Sequence, residues 1–164
     1  MDVFSDFECP HCGDLYTKVL TRVIEEYCDK GKVYLVHHDY PLPQHKYAPD
    51  AARWANAAAT VGKYEAVAAA LFEKQAVWSV SGVVEPVVAD AVGPADFKKV
   101  KQVYLDHKEV IEAAINNDIF LGHQNNVTQT PTTKITYKGA VVNVTPGTMS
   151  YGILKHFLDD QLAK

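Results

Sequence analysis

Two cysteines separated by a proline and a histidine, Cys9-Pro10-His11-Cys12, have the type and spacing to do chemistry in this chain. They follow a strand-like apolar run, Val3-Phe4-Ser5-Asp6-Phe7, and open a long helical pattern. A thiol pair with two intervening residues, placed where a strand turns into a helix, suits a dithiol/disulfide catalyst. At this spacing the sulfurs can close a small ring across the first helical turn. The thiol nearest the helix start meets unpaired backbone N–H groups and the positive end of the dipole. Both favour the thiolate, which is the form that attacks disulfides. The expected chemistry is therefore thiol–disulfide exchange at Cys9.

The elements that must position this pair follow from the pattern on either side of it. A first strand over about Asp2 to Phe7 feeds a helix from about Pro10 to Asp29, closed by Lys30-Gly31-Lys32. Val33 to His38 is rich in β-branched and aromatic residues and reads as a second strand, making a βαβ unit with parallel strands. From about Lys46 to Asn126 the pattern is helical with no strand. An alanine-rich helix ends near Gly62, a second helix covers Lys63 to Trp78, and a shorter piece lies between Val83 and Val92. After the punctuation of Gly93-Pro94, two further helices or one broken one run from Ala95 to about Asn117. Thr132 to Tyr137 and Ala140 to Val144 flank a Lys138-Gly139 turn and read as a β-hairpin. A last helix carries Tyr151, Leu154, Phe157, Leu158 and Leu162 on one face. The order is βαβ, helical insertion, ββα. It predicts an α/β unit with a mixed sheet at 1–45 and 127–164, with an all-helical subdomain at 46–126.

The chain has 164 residues, 48% of them hydrophobic and 22% charged, with a net charge of −4. That is enough apolar material for a core, and no basic run with interleaved aromatics points to nucleic acid. Three cysteines are too few for a disulfide-stapled miniprotein. The third, Cys28, falls in the apolar stripe of the first helix and reads as a buried, inert thiol. It lies roughly 24 Å from Cys12 along that helix, too far for a disulfide. The chain begins with Met1-Asp2 directly against the first strand. The expectation is that an export signal or tether lies outside it.

Three segments in the same order resemble the DsbA-type branch of thioredoxin-fold proteins. They are Ser5-Asp6-Phe7-Glu8-Cys9-Pro10-His11-Cys12, Asp39-Tyr40-Pro41-Leu42, and Val127-Thr128-Gln129-Thr130-Pro131-Thr132. The resemblance implies a thioredoxin fold, a mixed four-stranded sheet with the helical insertion, and a catalytic set of Cys9, Pro10, His11 and Cys12. Cys9 would be the exposed nucleophile that forms the mixed disulfide, and Cys12 the more buried resolving thiol. His11 would stabilise the Cys9 thiolate. Pro131 would be a cis-proline facing the dithiol, shaping a groove where Thr130 backbone groups pair with an extended substrate. The implied partners are unfolded or reduced exported polypeptides and a redox protein, membrane-bound in some settings, that recycles the pair. A monomer working in the periplasm or cell envelope, without nucleic acid, is expected.

A thiolate stabilised at Cys9 favours the reduced form and makes the disulfide an oxidant, so a dithiol oxidase is the first expectation. Two departures keep an isomerase or reductase of the same fold open. Val3 stands where oxidases of this branch often carry a buried glutamate, and Thr130 where they more often carry valine. From a different class, Cys9, His11 and Cys12 could join His37, His38 or His45 on zinc or copper. A closed zinc site usually pairs two such motifs and this chain has one. His37 and His38, adjacent on a strand, would point to opposite faces. No metal and no external cofactor is expected, because the reducible bond is the protein's own.

Overall fold

A computed structural model describes residues 1–164. Four strands form one sheet: β1 (Asp2–Ser5), β2 (Val36–Asp39), β3 (Thr132–Tyr137) and β4 (Ala140–Pro146), in the spatial order β2-β1-β3-β4. β1 and β2 are parallel, joined through a helix at 10–28 (α1). β1–β3 and β3–β4 are antiparallel. The remaining helices are α2 (Ala48–Ala59), α3 (Tyr64–Glu73), α4 (Gln75–Ser81), α5 (Glu85–Asp106), α6 (Lys108–Gln124) and α7 (Tyr151–Leu162). Between β2 and β3 the chain is helical throughout, with no strand. The mixed sheet and its order are those of the expected thioredoxin fold.

Element bounds depart from expectation where a local hydrogen bond outcompetes a strand or helix partner. β1 stops at Ser5 because the chain turns there, with Cys9 N–H donating to the Asp6 carbonyl at 3.1 Å. β2 begins at Val36 rather than Val33. The N–H groups of Lys32 and Val33 are taken by the Tyr27 carbonyl at the end of α1, and ladder pairing starts with Val36 N–H on Met1 O at 2.9 Å. The helix expected over Lys63 to Trp78 is two, because Lys74 leaves helical geometry (φ −99°, ψ 14°). Gly93-Pro94 punctuates the chain as expected, dividing α5 into two helical pieces that meet at a kink. Gly93 (φ 76°, ψ 165°) makes a kink that only glycine adopts without strain, and the helix resumes across Pro94.

The helical block and the sheet share one core. A continuous apolar cluster runs from Val3 and Phe7 through Leu15, Val19 and Val23 of α1 to Trp54, Val67, Leu71, Trp78 and Val100, and to Leu154 and Leu158 of α7. On the opposite face of β1, Phe4 stacks on His38 (ring centroids 4.7 Å) and meets Tyr40 edge-on. His38 ties three elements together: its Nδ1 lies 2.8 Å from Asp118 of α6 and its Nε2 3.0 Å from Asp2 of β1. Burial disfavours charge on this imidazole, but the two carboxylates outweigh it and raise its pKa.

This second face allows α6 to approach because Gly122 has no side chain. A Cβ there would overlap the Tyr40 ring and press on Phe4 Cδ1 at 3.4 Å. Tyr40 cannot swing away freely, since its hydroxyl donates to the Val127 carbonyl at 3.0 Å. Gly122→Ala is expected to lower stability by about 1–3 kcal/mol through overpacking, read as a fall in the urea midpoint at unchanged m-value.

Candidate active site

Cys9 is the N-cap of α1, in extended backbone (φ −74°, ψ 120°), and Pro10 occupies the first helical turn, where its missing N–H and fixed φ cost nothing. This geometry places the Cys9 sulfur over the unpaired N–H groups of the first turn. The Cys9 carbonyl accepts from Cys12 N–H (3.0 Å) and Gly13 N–H (3.1 Å), which starts the helix. All three cysteines are free thiols.

The two sulfurs of the motif have opposite protonation preferences. The Cys9 thiol is pulled down from its ordinary value to about 5. The largest cause is a hydrogen bond from Cys12, followed by Thr130 and by the backbone N–H groups of Cys12 and His11, all acting against the penalty of burial. Cys12 is pushed far up, first by its own burial and then by the neighbouring Cys9. Ser5 and the Asp6 N–H, 3.4 Å from the Cys12 sulfur, work against that rise. One proton shared by two thiols therefore sits on Cys12 and leaves Cys9 as the thiolate.

The Thr130–Pro131 peptide bond is cis and lies against the pair. Cys9 Sγ is 3.6 Å from the Thr130 carbonyl oxygen, and Thr130 and Pro131 are both buried. Thr130 and Pro131, 121 residues away in sequence from the motif, are thus brought to Cys9, as Cys9, Pro10, His11 and Cys12 are to one helix start.

Two expectations need correcting. Cys9 is not an exposed thiol: it is 5% exposed, against 1% for Cys12. The Thr130–Pro131 segment and the helical block crowd it, and only Pro10 and His11 face solvent. His11 acts on Cys9 through its backbone N–H, while its imidazole is exposed to solvent. Cys28 is half-buried rather than fully buried, and burial raises its pKa.

Three supporting residues carried no local signal. Gln75, at the start of α4, donates from Nε2 to the Phe7 carbonyl at 2.6 Å and the Cys9 carbonyl at 2.9 Å. Asp6, 1% exposed, accepts from Glu8 N–H (2.7 Å), Leu42 N–H (2.7 Å) and the His45 ring (2.8 Å). Burial nevertheless keeps its pKa raised. Glu8, next to Cys9 in sequence, turns away from the thiols and accepts from Tyr47 N–H (2.7 Å) and Ala48 N–H (2.9 Å) at the start of α2. Glu8 directly precedes the motif, but the donors it meets lie about forty residues on. As for the metal alternative, His45 is held by Asp6 and His38 by Asp2 and Asp118, while His37 stacks on Phe7. No group of three or more His, Cys, Asp or Glu side chains is arranged to hold a metal ion.

A family model described as Thioredoxin matches residues 1–155. Two curated proteins, both named probable disulfide bond formation protein D and coming from Bacillus cereus and Bacillus anthracis, are each 49% identical over 39 residues. That stretch is 24% of this chain and only 18% of the length of each relative. Among solved structures, α-DsbA1 of Wolbachia pipientis superposes with a TM-score of 0.77 at 17% identity, covering 99% of this chain and 84% of that one. Oxidised BdbD of Bacillus subtilis gives 0.75 at 20% identity, covering 99% and 86%. These likenesses are of fold.

Because the Cys9 pKa is depressed in the fold, its thiolate stabilises the reduced protein at pH values above the unfolded thiol value of about 8.5. That contribution is lost as pH falls toward about 5. Cys12, whose pKa is raised, opposes only above the unfolded value. Absorbance of the thiolate near 240 nm is therefore expected to titrate at about 5. In Cys12→Ala, which deletes the main hydrogen bond, the midpoint is expected to rise by about 1 unit or more, a cost of about 1.4 kcal/mol per unit.

Proposed function

The chain belongs to the thioredoxin family, and from that premise we propose that it is a DsbA-like thiol–disulfide oxidoreductase that donates its Cys9–Cys12 disulfide to other proteins. The observation that carries this reading is the split between a low-pKa Cys9 and a high-pKa Cys12 at one helix start.

In the donating direction, a substrate thiolate attacks Cys9 Sγ of the oxidised pair. The Cys9–Cys12 bond breaks and a substrate–Cys9 mixed disulfide forms. Cys12 departs with the electron pair and, being the high-pKa sulfur, takes up a proton. A second substrate thiolate then attacks the substrate sulfur of the mixed disulfide and expels Cys9. Low-pKa thiolates are the better leaving groups, so this second step is fast for Cys9. The substrate leaves with one new disulfide, and the protein holds a dithiol that a redox partner must reoxidise. The same stabilised thiolate favours the reduced state, which makes the disulfide oxidising.

Thr130 and Pro131 would form the substrate-facing edge of the site, with the Thr130 carbonyl already beside Cys9. Pro10 and His11, the exposed part of the motif, would meet the substrate from the other side. The near-complete burial of Cys9 fits a thiol that reacts only with a chain able to lie in that groove. Reduced or unfolded exported polypeptides would be the substrates. The working place would be extracytoplasmic, as chemistry that builds disulfides requires an oxidising compartment. No single helix is long and apolar enough to cross a membrane. We propose further that residues 1–45 and 127–164 act as the thiol-exchange unit and 46–126 as its helical cover, in a monomer.

The test is the reduction potential of the Cys9–Cys12 pair in glutathione buffers, together with oxidative refolding of a reduced substrate protein. A potential above about −180 mV and refolding that is lost in Cys9→Ser are expected. A potential near −270 mV, about that of thioredoxin, would mark a reductase and overturn the donor direction.

A further inference from the structure

A second concave site lies apart from the thiols. A cleft of about 700 Å³ opens between α1, β2 and α3, and none of Cys9, Cys12, Thr130 or Pro131 lines it. One wall is apolar, made by Tyr16, Leu20 and Ile24 along one stripe of α1. Its polar side comes from His37 and Asp39, alternate residues of β2 that share a face, and from Tyr64 at the start of α3.

Each of these three residues carries a buried polar atom with no hydrogen-bond partner: His37 Nε2, Asp39 Oδ1 and the Tyr64 hydroxyl. The side chains of His37 and Asp39 are 8% and 6% exposed, and their facing atoms stand 3.6 Å apart, too far for an N–H···O bond. The rest of Asp39 is already held. Its Oδ2 accepts from Asn56 Nδ2 at 2.6 Å and its N–H donates to Asp118 at 3.0 Å, so Oδ1 has a fixed direction. Buried polar atoms without partners are uncommon in folded chains, and convergent polar atoms in a largely apolar cleft are the usual composition of a small-molecule site.

The charge of the cleft selects the ligand. Asp29, Asp39, Glu65 and Asp118 line it, and no lysine or arginine does. Burial together with the Asp39 and Asp118 carboxylates holds the Tyr64 hydroxyl firmly protonated. An imidazole nitrogen, a carboxylate oxygen and a phenol oxygen can each accept a hydrogen bond, and a primary ammonium carries three donors. The donors do not form a metal set. We infer that this cleft binds a small organic ammonium with an apolar body, the ammonium on Asp39, His37 and Tyr64 and the hydrocarbon against the Tyr16–Leu20–Ile24 wall.

The test is a titration of the full chain with 2-phenylethylammonium, with 2-phenylethanol and phenylacetate as the neutral and anionic matches. It is followed by calorimetry and by NMR of the His and Tyr resonances. The ammonium is expected to saturate with a Kd below about 1 mM. The two matches are expected to bind at least about tenfold more weakly. Asp39→Asn, which keeps the shape and removes the charge, is expected to weaken the ammonium about tenfold or more. Tyr64→Phe removes one acceptor only and is expected to weaken it about threefold to tenfold. Both variants are first checked for a native thermal transition, and Tyr64→Phe decides the matter if Asp39→Asn does not fold. No saturable binding, equal binding of phenylacetate, or unchanged affinity in the folded variants would overturn the inference. The readout is equilibrium binding, so it stands or falls independently of cysteine exchange.

Discussion

The buried carboxylate of Asp6 is the fastening on which the thiol site depends. Its two oxygens collect donors from Glu8, Leu42 and His45, tying the end of β1 to the loop after β2. Its own N–H points at the Cys12 sulfur, and its carbonyl takes the Cys9 N–H that turns the chain into α1. One residue thus sets the angle at which the strand hands over to the helix. A carboxyl so deeply buried resists ionisation, and the donors around it exist to hold the charged form. The same residue that organises the site therefore stores a part of its cost.

From that fastening the electrostatics follow. The N-cap position aims the Cys9 sulfur at backbone N–H groups, and the Cys12 thiol behind it donates rather than competes. A lone cysteine at this depth would be inert, because burial in apolar surroundings disfavours the thiolate. Here burial is overcome by several directed donors, which is why a thiol only 5% exposed can still be the acidic one. Burial and activation act on the same atom in opposite senses, and the local hydrogen bonds win.

The motif, the βαβ unit, the helical block and the terminal hairpin were legible in the sequence because each rests on short-range signals: spacing, periodicity and turn chemistry. Pro131 could be singled out only through resemblance to a family, since nothing between residues 12 and 130 announces that they meet. What stayed hidden was set by distant partners. The depth of Cys9 depends on segments more than sixty residues away. The duties of Glu8 and Gln75 are to cap α2 and to hold the Phe7 and Cys9 carbonyls. The break at Lys74 also runs against local propensity, because docking on the shared core outweighs it.

The bonds from Gln75 have a consequence for when, as well as where, the protein becomes reactive. Cys9 and Cys12 leave the ribosome well before the groups that finish their environment. Gln75 comes 66 residues after Cys9 and Thr130 comes 121 after it. A nascent chain displaying only β1 and α1 would already hold the local donors of Cys12 and His11, but its Cys9 would lie open to any disulfide or thiol. The shielded Cys9 beside Thr130 exists only after the helical block and β3 have docked. Selective exchange is then a certificate of completed folding.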